Sequence, residues 1–191
     1  MTRRALTLAD LEAAAEIAAS AAAPDAVFRA VEDLVRQVIG FRLFTVMRLH
    51  AATQEVERLY SSLPEAYPVS GRKPKHGTPW GARVLDRGEI FVANSPDEVR
   101  AAFADHELIF SLGIGAIMNV PVRFRGRSLG TMNICSEAGW FTEADHTPGR
   151  LIASLLVPAL LVSKRIKHGS MGITLMSVDT HVPVVFWIAL T

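Results

Sequence analysis

Apolar residues recur at helical spacing in two stretches before residue 40. From Leu8 to Ala22 an alanine-rich run carries Leu8, Leu11, Ala15 and Ile17 near a 3.6-residue period, with Thr7 placed to cap it, which predicts a helix. Pro24-Asp25 opens a second one: proline suits the first turn, and the carboxylate suits the positive end of the helix dipole. Val27, Phe28, Val31, Leu34, Val35 and Val38 then form one apolar stripe, which Gly40 ends. From Phe41 to Leu49 the period shifts toward two. Glu55 to Ser61 repeats it after His50-Ala51-Ala52-Thr53, so the pair predicts a hairpin.

Pro64 to Pro79 is rich in Pro, Gly and Lys without sustained periodicity, and is longer than an ordinary connection; such a loop caps a site or moves. Trp80 to Asp86 predicts a short helix closed by Arg87-Gly88, followed by a short strand from Glu89 to Ala93. Ser95, with Glu98 three residues on, forms a capping box for a helix with Val99, Ala102, Phe103, His106 and Phe110 on one face. Strands at Ala116 to Phe124 and Ser128 to Ser136 are joined by the turn Arg125-Gly126-Arg127. A last helix is predicted from Thr142 to Ser163, kinked or shortened by Pro158. The chain thus divides into an N-terminal helix (1–23), one domain (24–163) and a tail (164–191). The tail holds the basic cluster Lys164, Arg165, Lys167 and His168 and an apolar run too short to span a bilayer. A packed strand, a segment swapped with a second copy, a non-native extension and a poorly ordered tail all remain open for it.

Composition narrows the classes of function. Half of the 191 residues are apolar, enough for one soluble domain with an ample core. Twenty Lys and Arg against nineteen Asp and Glu leave a net charge of +1, which offers no broad basic field for nucleic acid. The lone Cys135 excludes an internal disulfide and any multi-thiol metal site, and it fits a reducing, cytoplasmic setting. No membrane association and no cofactor are expected. H-E-x-x-H, G-x-S-x-G and P-loop patterns do not occur.

Four pieces, in order, resemble the GAF domain, the small-molecule-binding relative of the PAS fold. They are G-x-x-V-L-x-x-G-E at Gly81, Val84, Leu85, Gly88 and Glu89; the pair Val120-Pro121; G-x-x-x-G-x-x-N at Gly126, Gly130 and Asn133; and F-T-x-x-D at Phe141, Thr142 and Asp145. The resemblance covers roughly Pro24 to Val162. It implies an α+β fold with a central antiparallel β-sheet of five to six strands. The N- and C-terminal helices pack on one face, and a ligand cavity lies under loops and short helices on the other.

Strand alternation on that fold selects the candidate residues. On the last strand Leu129, Thr131, Asn133 and Cys135 would face the cavity, with Met132 and Ile134 on the helix side. On its neighbour Gly115, Ile117 and Asn119 would line the cavity, opposite Met118, Val120 and Val122. Tyr60 joins the ligand-binding candidates from the first hairpin. Buried Asn119 and Asn133 need partners, which backbone groups, water or a ligand would supply. Trp80 is either core filler or a stacking surface for a ligand. Arg83 and His106 are either solvated or hold a carboxylate or phosphate. Phe103 and Phe110 are core or cavity lining, and His76 reads as solvated.

The resemblance includes the free methionine sulfoxide reductases, but their cycle resolves one oxidised cysteine with another, and only Cys135 is present. The bilin-attachment context and the N-K-x-x-F-x-x-E signature of cyclic-nucleotide binders do not occur either. The leading expectation is a stand-alone, non-enzymatic sensory domain. It binds a small metabolite, anionic or aromatic, under a lid from Pro64 to Phe110, signals in trans to an effector protein, and forms a homodimer through its terminal helices. The alternatives are an interaction module whose cavity is filled by Trp80, Phe103 or Met132, and a single-thiol enzyme acting through Cys135.

Overall fold

The computed structural model describes residues 3–75 and 77–162. His76 and the tail from 164 onward lie outside the described residues. The first helix, α1 (Leu8–Ser20), opens with a capping box: the Asp10 amide donates to Thr7 Oγ1, and the Thr7 amide donates to the Asp10 carboxylate. The second, α2 (Pro24–Val38), has proline in its first turn and buries the whole predicted stripe. By contrast α1 buries only Ala14.

The hairpin forms as β1 (Leu43–His50) and β2 (Glu55–Ser61). The following segment is less irregular than expected, because β3 (Arg72–Pro74) pairs along the outer edge of β2. Pro74, with no amide to donate, is tolerated on such an edge. Next come α3 (Pro79–Gly81), which widens into a π-helical turn over Ala82–Asp86, and β4 (Phe91–Ala93).

The single helix expected after Ser95 is two, α4 (Pro96–Ala102) and α5 (His106–Ser111), because Phe103 leaves the helix with φ −128° and ψ 120°. In an unbroken helix Ile109 would lie roughly 80° around the axis from Val99. The break lets both bury against the sheet.

The remaining strands, β5 (Ala116–Phe124) and β6 (Arg127–Ser136), turn through Arg125 (φ 50°) and Gly126 (φ 76°), a two-residue hairpin with both central residues left-handed. The expected last helix is also divided, into α6 (His146–Ser154) and α7 (Val157–Val162) after a 3-10 turn. Pro158 has no amide hydrogen for the Ser154 carbonyl, so the helix cannot run through it.

All six strands form one antiparallel sheet in the order β3-β2-β1-β6-β5-β4. Its central strands are buried on both faces, so neither alternation parity is polar throughout. One parity, including Phe44, Val46, Met118, Val120, Met132 and Ile134, meets α2, α6 and α7 in the main core. The other parity meets two smaller apolar clusters under residues 66–112.

Gly130 lies between β1 and β5, where β6 passes so close to its neighbour that a Cβ would overlap the Met47 carbonyl. A Cβ on Gly149 in α6 would make only ordinary contacts, 3.4 Å from Val120 and 3.6 Å from Met118. Gly130→Ala is therefore expected to cost roughly 2–3 kcal/mol through a forced strand shift. That corresponds to a melting midpoint about 5–10 °C lower. Gly149→Ala, which gains helix propensity, is expected to stay within about 1 kcal/mol of the parent. Thermal denaturation followed by circular dichroism checks both, and equal midpoints for the two variants would refute the close-approach argument.

Candidate functional site

On the sheet face away from α2, a cavity of about 130 Å³ lies between the strands and the segment that folds over them. Its floor alternates as a regular sheet requires on three strands: Leu43, Thr45 and Met47 from β1, Ile117 and Asn119 from β5, Asn133 and Cys135 from β6. On β2 the alternation is interrupted. Val46 pairs with Tyr60 but Met47 pairs with Arg58, so Leu59 is an extra residue without an opposite number. Arg58 lines the cavity in step with Val56, and the bulge beyond it sends Tyr60 to the other face. There the Tyr60 hydroxyl donates to Glu32 of α2 (2.5 Å), and its ring packs on Phe28 and Phe44. Tyr60 is thus part of the helix-side core and does not line the cavity. A second bulge, where Val122 pairs with Gly130 but Arg123 pairs with Ser128, turns Leu129 away from the cavity parity and into the main core.

The polar floor residues partner one another. Trp80 Nε1 donates to Asn119 Oδ1 (2.9 Å), Asn119 Nδ2 to Asn133 Oδ1 (2.8 Å), and Asn133 Nδ2 to Thr45 Oγ1 (3.0 Å). The chain crosses three strands at paired positions, Asn119 opposite Asn133 and Asn133 opposite Thr45. It fixes the orientation of both amides and anchors α3 to the sheet. Trp80 is therefore both buried filler and a wall of the cavity.

The charge lies toward the β3 edge of the sheet. Arg58 of β2, with Arg72, Lys73 and Lys75 from β3 and the residue after it, lines the cavity against one carboxylate, Asp105. Arg72 faces Glu55 and Glu57 at 3.8 and 3.7 Å. Lys73 Nζ pairs with Asp105 at 2.8 Å, tying edge strand β3 to the start of α5 across the mouth. Burial raises the Asp105 pKa, but the Lys73 hydrogen bond and charge outweigh it and hold the carboxyl below its ordinary value. The Lys75 ammonium sits 4.9 Å over the Trp80 ring, its pKa lowered by burial and by neighbouring Lys73.

Arg58 is 8% exposed; it stacks 4.8 Å from the Tyr67 ring and donates from Nη1 to the Pro68 carbonyl (2.8 Å). Burial lowers its pKa, as it raises that of Tyr67. Burial also pushes the Cys135 thiol up to about 12, with Asp105 adding to the effect, so the sulfur stays protonated at neutral pH.

Of the residues expected from alternation and motif, Trp80, Phe103, Ile117, Asn119, Asn133 and Cys135 come together around this space. Thr131 is on the same strand parity but fully buried outside the lining, with no hydrogen-bond partner for Oγ1. Arg83 lies in an open groove on the far side of Trp80, 5.6 Å from the Phe91 ring and 3.6 Å from Glu89. His106 Nδ1 bonds the Phe103 carbonyl (3.0 Å), and Phe110 packs between His106 and Arg100; neither reaches the lining, where Ile109 stands instead.

Arg58, Tyr67, Lys73, Lys75 and Asp105 were not anticipated. The Pro, Gly and Lys richness of residues 64–79 did signal a cap over a site, and it supplies three of these five. Arg58 shares a face with Tyr60 in a regular strand, so alternation was its signal, whereas the bulge that separates the two depends on strand pairing. Among the described residues no cluster of three His, Cys, Asp or Glu side chains is arranged to hold a metal ion.

The GAF domain family model matches residues 21–160. Among solved structures, the chain is similar to the GAF domain of a phosphoenolpyruvate-protein phosphotransferase from Coxiella burnetii (TM-score 0.66, 16% identity, covering 84% of this chain and 95% of that one). It is also similar to the GAF domain of a two-component sensor histidine kinase from Bacillus halodurans (TM-score 0.58, 15% identity, 73% and 95%). The chromophore-binding domain of a bacteriophytochrome from R. palustris superposes with a TM-score of 0.61 at 16% identity; 82% of this chain is covered, and it spans 61% of that domain's length. No functionally curated protein matches it in sequence. With 140 consecutive residues matched and the same curled six-stranded sheet, the chain belongs to the GAF domain family.

Proposed function

We propose that this GAF domain is a sensor that binds a small metabolite in the cavity and passes the change through its flanking helices to a partner in trans. GAF domains are sensory modules of signalling proteins, and the similar structures from a histidine kinase and a bacteriophytochrome support that class. The observation that carries the reading is the two-sided use of the same strands. Residues of one parity on β1, β5 and β6 form the cavity floor, and those of the other parity pack on α2, α6 and α7. A ligand that moves the floor must move the helix contacts with it, and it shifts the equilibrium only as far as its affinity differs between the two arrangements.

The filled-cavity alternative needs Trp80, Phe103 or Met132 to occupy the space. Met132 is on the helix face, while Trp80 and Phe103 leave about 130 Å³ between them and the floor. The single-thiol enzyme alternative needs a thiolate, which the buried Cys135 disfavours. No helix among the described residues is long and apolar enough to cross a membrane; a reducing, cytoplasmic setting is proposed from the single thiol.

Native mass spectrometry of the purified chain, followed by a thermal-shift screen of metabolites, tests the sensor reading. The expected result is a co-purifying small molecule, or a compound that at about a hundred times its Kd stabilises by roughly 2.7 kcal/mol and raises the midpoint by about 5–10 °C. An apo mass with no shift across a broad library would sink it.

Homodimerisation is proposed through the terminal helices, where Leu8, Ile17, Leu151 and Val162 are exposed on α1, α6 and α7. Size exclusion with light scattering is expected to return twice the chain mass at micromolar concentration. A monomer throughout that range would refute the dimer.

A further inference from the structure

Within the ligand-binding reading, on which this inference rests, Arg58 stands out as an incomplete ion pair. A guanidinium is always charged in a protein and carries five N–H donors. Arg58 is buried to 8% exposure on the cavity floor, its Nε has no hydrogen-bond partner, and Nη1 is bonded to the Pro68 carbonyl. The carboxylate on the same wall, Asp105, is engaged by Lys73 at 2.8 Å and by the Tyr67 hydroxyl at 3.5 Å. Asp105 attracts Arg58 only at longer range, and a buried guanidinium with no carboxylate in direct contact is unfavourable, so its place on the cavity lining points to an anion that arrives from outside. The neighbouring Lys75 adds positive charge and reinforces the preference.

The volume sets the size of the guest. A dry cavity of roughly 150 Å³ accepts benzene, so about 130 Å³ matches one ring or a short branched chain. Leu43, Ile117, Phe103 and the Trp80 ring provide an apolar wall for such a body. A guanidinium edge pairs with carboxylate and phosphate alike, and the small volume and apolar wall beside a side chain already stacked on Tyr67 favour the carboxylate, the smaller and less highly charged of the two.

We propose that the ligand is a small organic monocarboxylate, with its carboxylate on Arg58 and an apolar body of about benzene's size against Leu43, Ile117, Phe103 and Trp80. Asn119 and Asn133, which already satisfy each other, serve as a rigid floor rather than as the anion site.

Isothermal titration of the full chain with matched pairs tests this. The pairs are benzoate against benzamide and 3-methylbutanoate against 3-methylbutanamide, with benzenesulfonate and methyl phosphate as other anions. At least one acid is expected to bind about tenfold or more tightly than its amide and than the two other anions. In Arg58→Gln that preference is expected to vanish while any residual amide binding persists, and Arg58→Lys, which keeps the charge without the fork, is expected to be intermediate. If Arg58→Gln does not fold, the comparison of acid with amide on the parent chain decides alone. Amides binding as well as acids would overturn the charge assignment and leave a ligand-binding cavity. Tighter binding of the sulfonate or phosphate would overturn the carboxylate. Absence of binding by every probe would overturn the proposal here, and only a ligand-free native mass and a failed library screen as well would remove the sensor reading beneath it.

Discussion

The cavity exists because a hydrogen-bonded chain of side chains holds its roof at a fixed place on its floor. Trp80, Asn119, Asn133 and Thr45 are linked donor to acceptor across three strands, and all four are buried. Each amide uses its carbonyl toward one neighbour and its NH₂ toward the next, so neither can rotate without breaking two bonds. An unmet polar group at this depth would cost about 1–3 kcal/mol, which makes the arrangement all or none. Since Trp80 starts the short helix that carries Val84 and Leu85 into the third apolar cluster, the same chain of bonds determines where the whole 78–88 segment sits.

That chain of bonds depends on a bulge. Counting back from the two-residue turn at Arg125-Gly126 would put Asn119 opposite Met132, an amide against the helix-facing core. The extra residue at Leu129 slips the register by one and brings Asn119 opposite Asn133. Gly130 follows immediately, where only a residue without Cβ lets β6 pass the Met47 carbonyl. The G-x-x-x-G-x-x-N pattern thus has a physical content: a left-handed turn, a close strand approach, and an amide delivered to its partner.

Much of the fold was legible because its signals are local. The Thr7 and Ser95 capping boxes, the α2 stripe, the hairpin turn and the helix-breaking Pro158 each act within a few residues, and each stands where the sequence placed it. The elements that were missed depend on distant partners. Edge strand β3 is three residues long and exists only because β2 offers free edge groups; the break at Phe103 is decided by the sheet beneath it. At the site, Asn119, Asn133, Ile117 and Cys135 followed from simple alternation. Tyr60 was misplaced because alternate residues of a strand share a face only where the ladder is regular, and the unpaired Leu59 breaks it.

The bulge in β2 also lies on a direct connection between the two sides of the sheet. Arg58 lines the cavity, and two residues later the Tyr60 hydroxyl is bonded to Glu32 on α2. Burial and the adjacent Glu32 carboxylate both raise the Tyr60 pKa, which keeps the phenol protonated and a donor throughout the physiological range. A bulge is a place where a strand can change its local twist without dismantling the ladder on either side. In the proposed sensor, an anion that draws on Arg58 therefore acts beside that bulge, and Tyr60 passes the adjustment to α2, against which α1 is packed. The paired amides and the close approach at Gly130 hold the other floor strands in step with one another, so a shift of the floor is shared by the residues of opposite parity that pack on the helices.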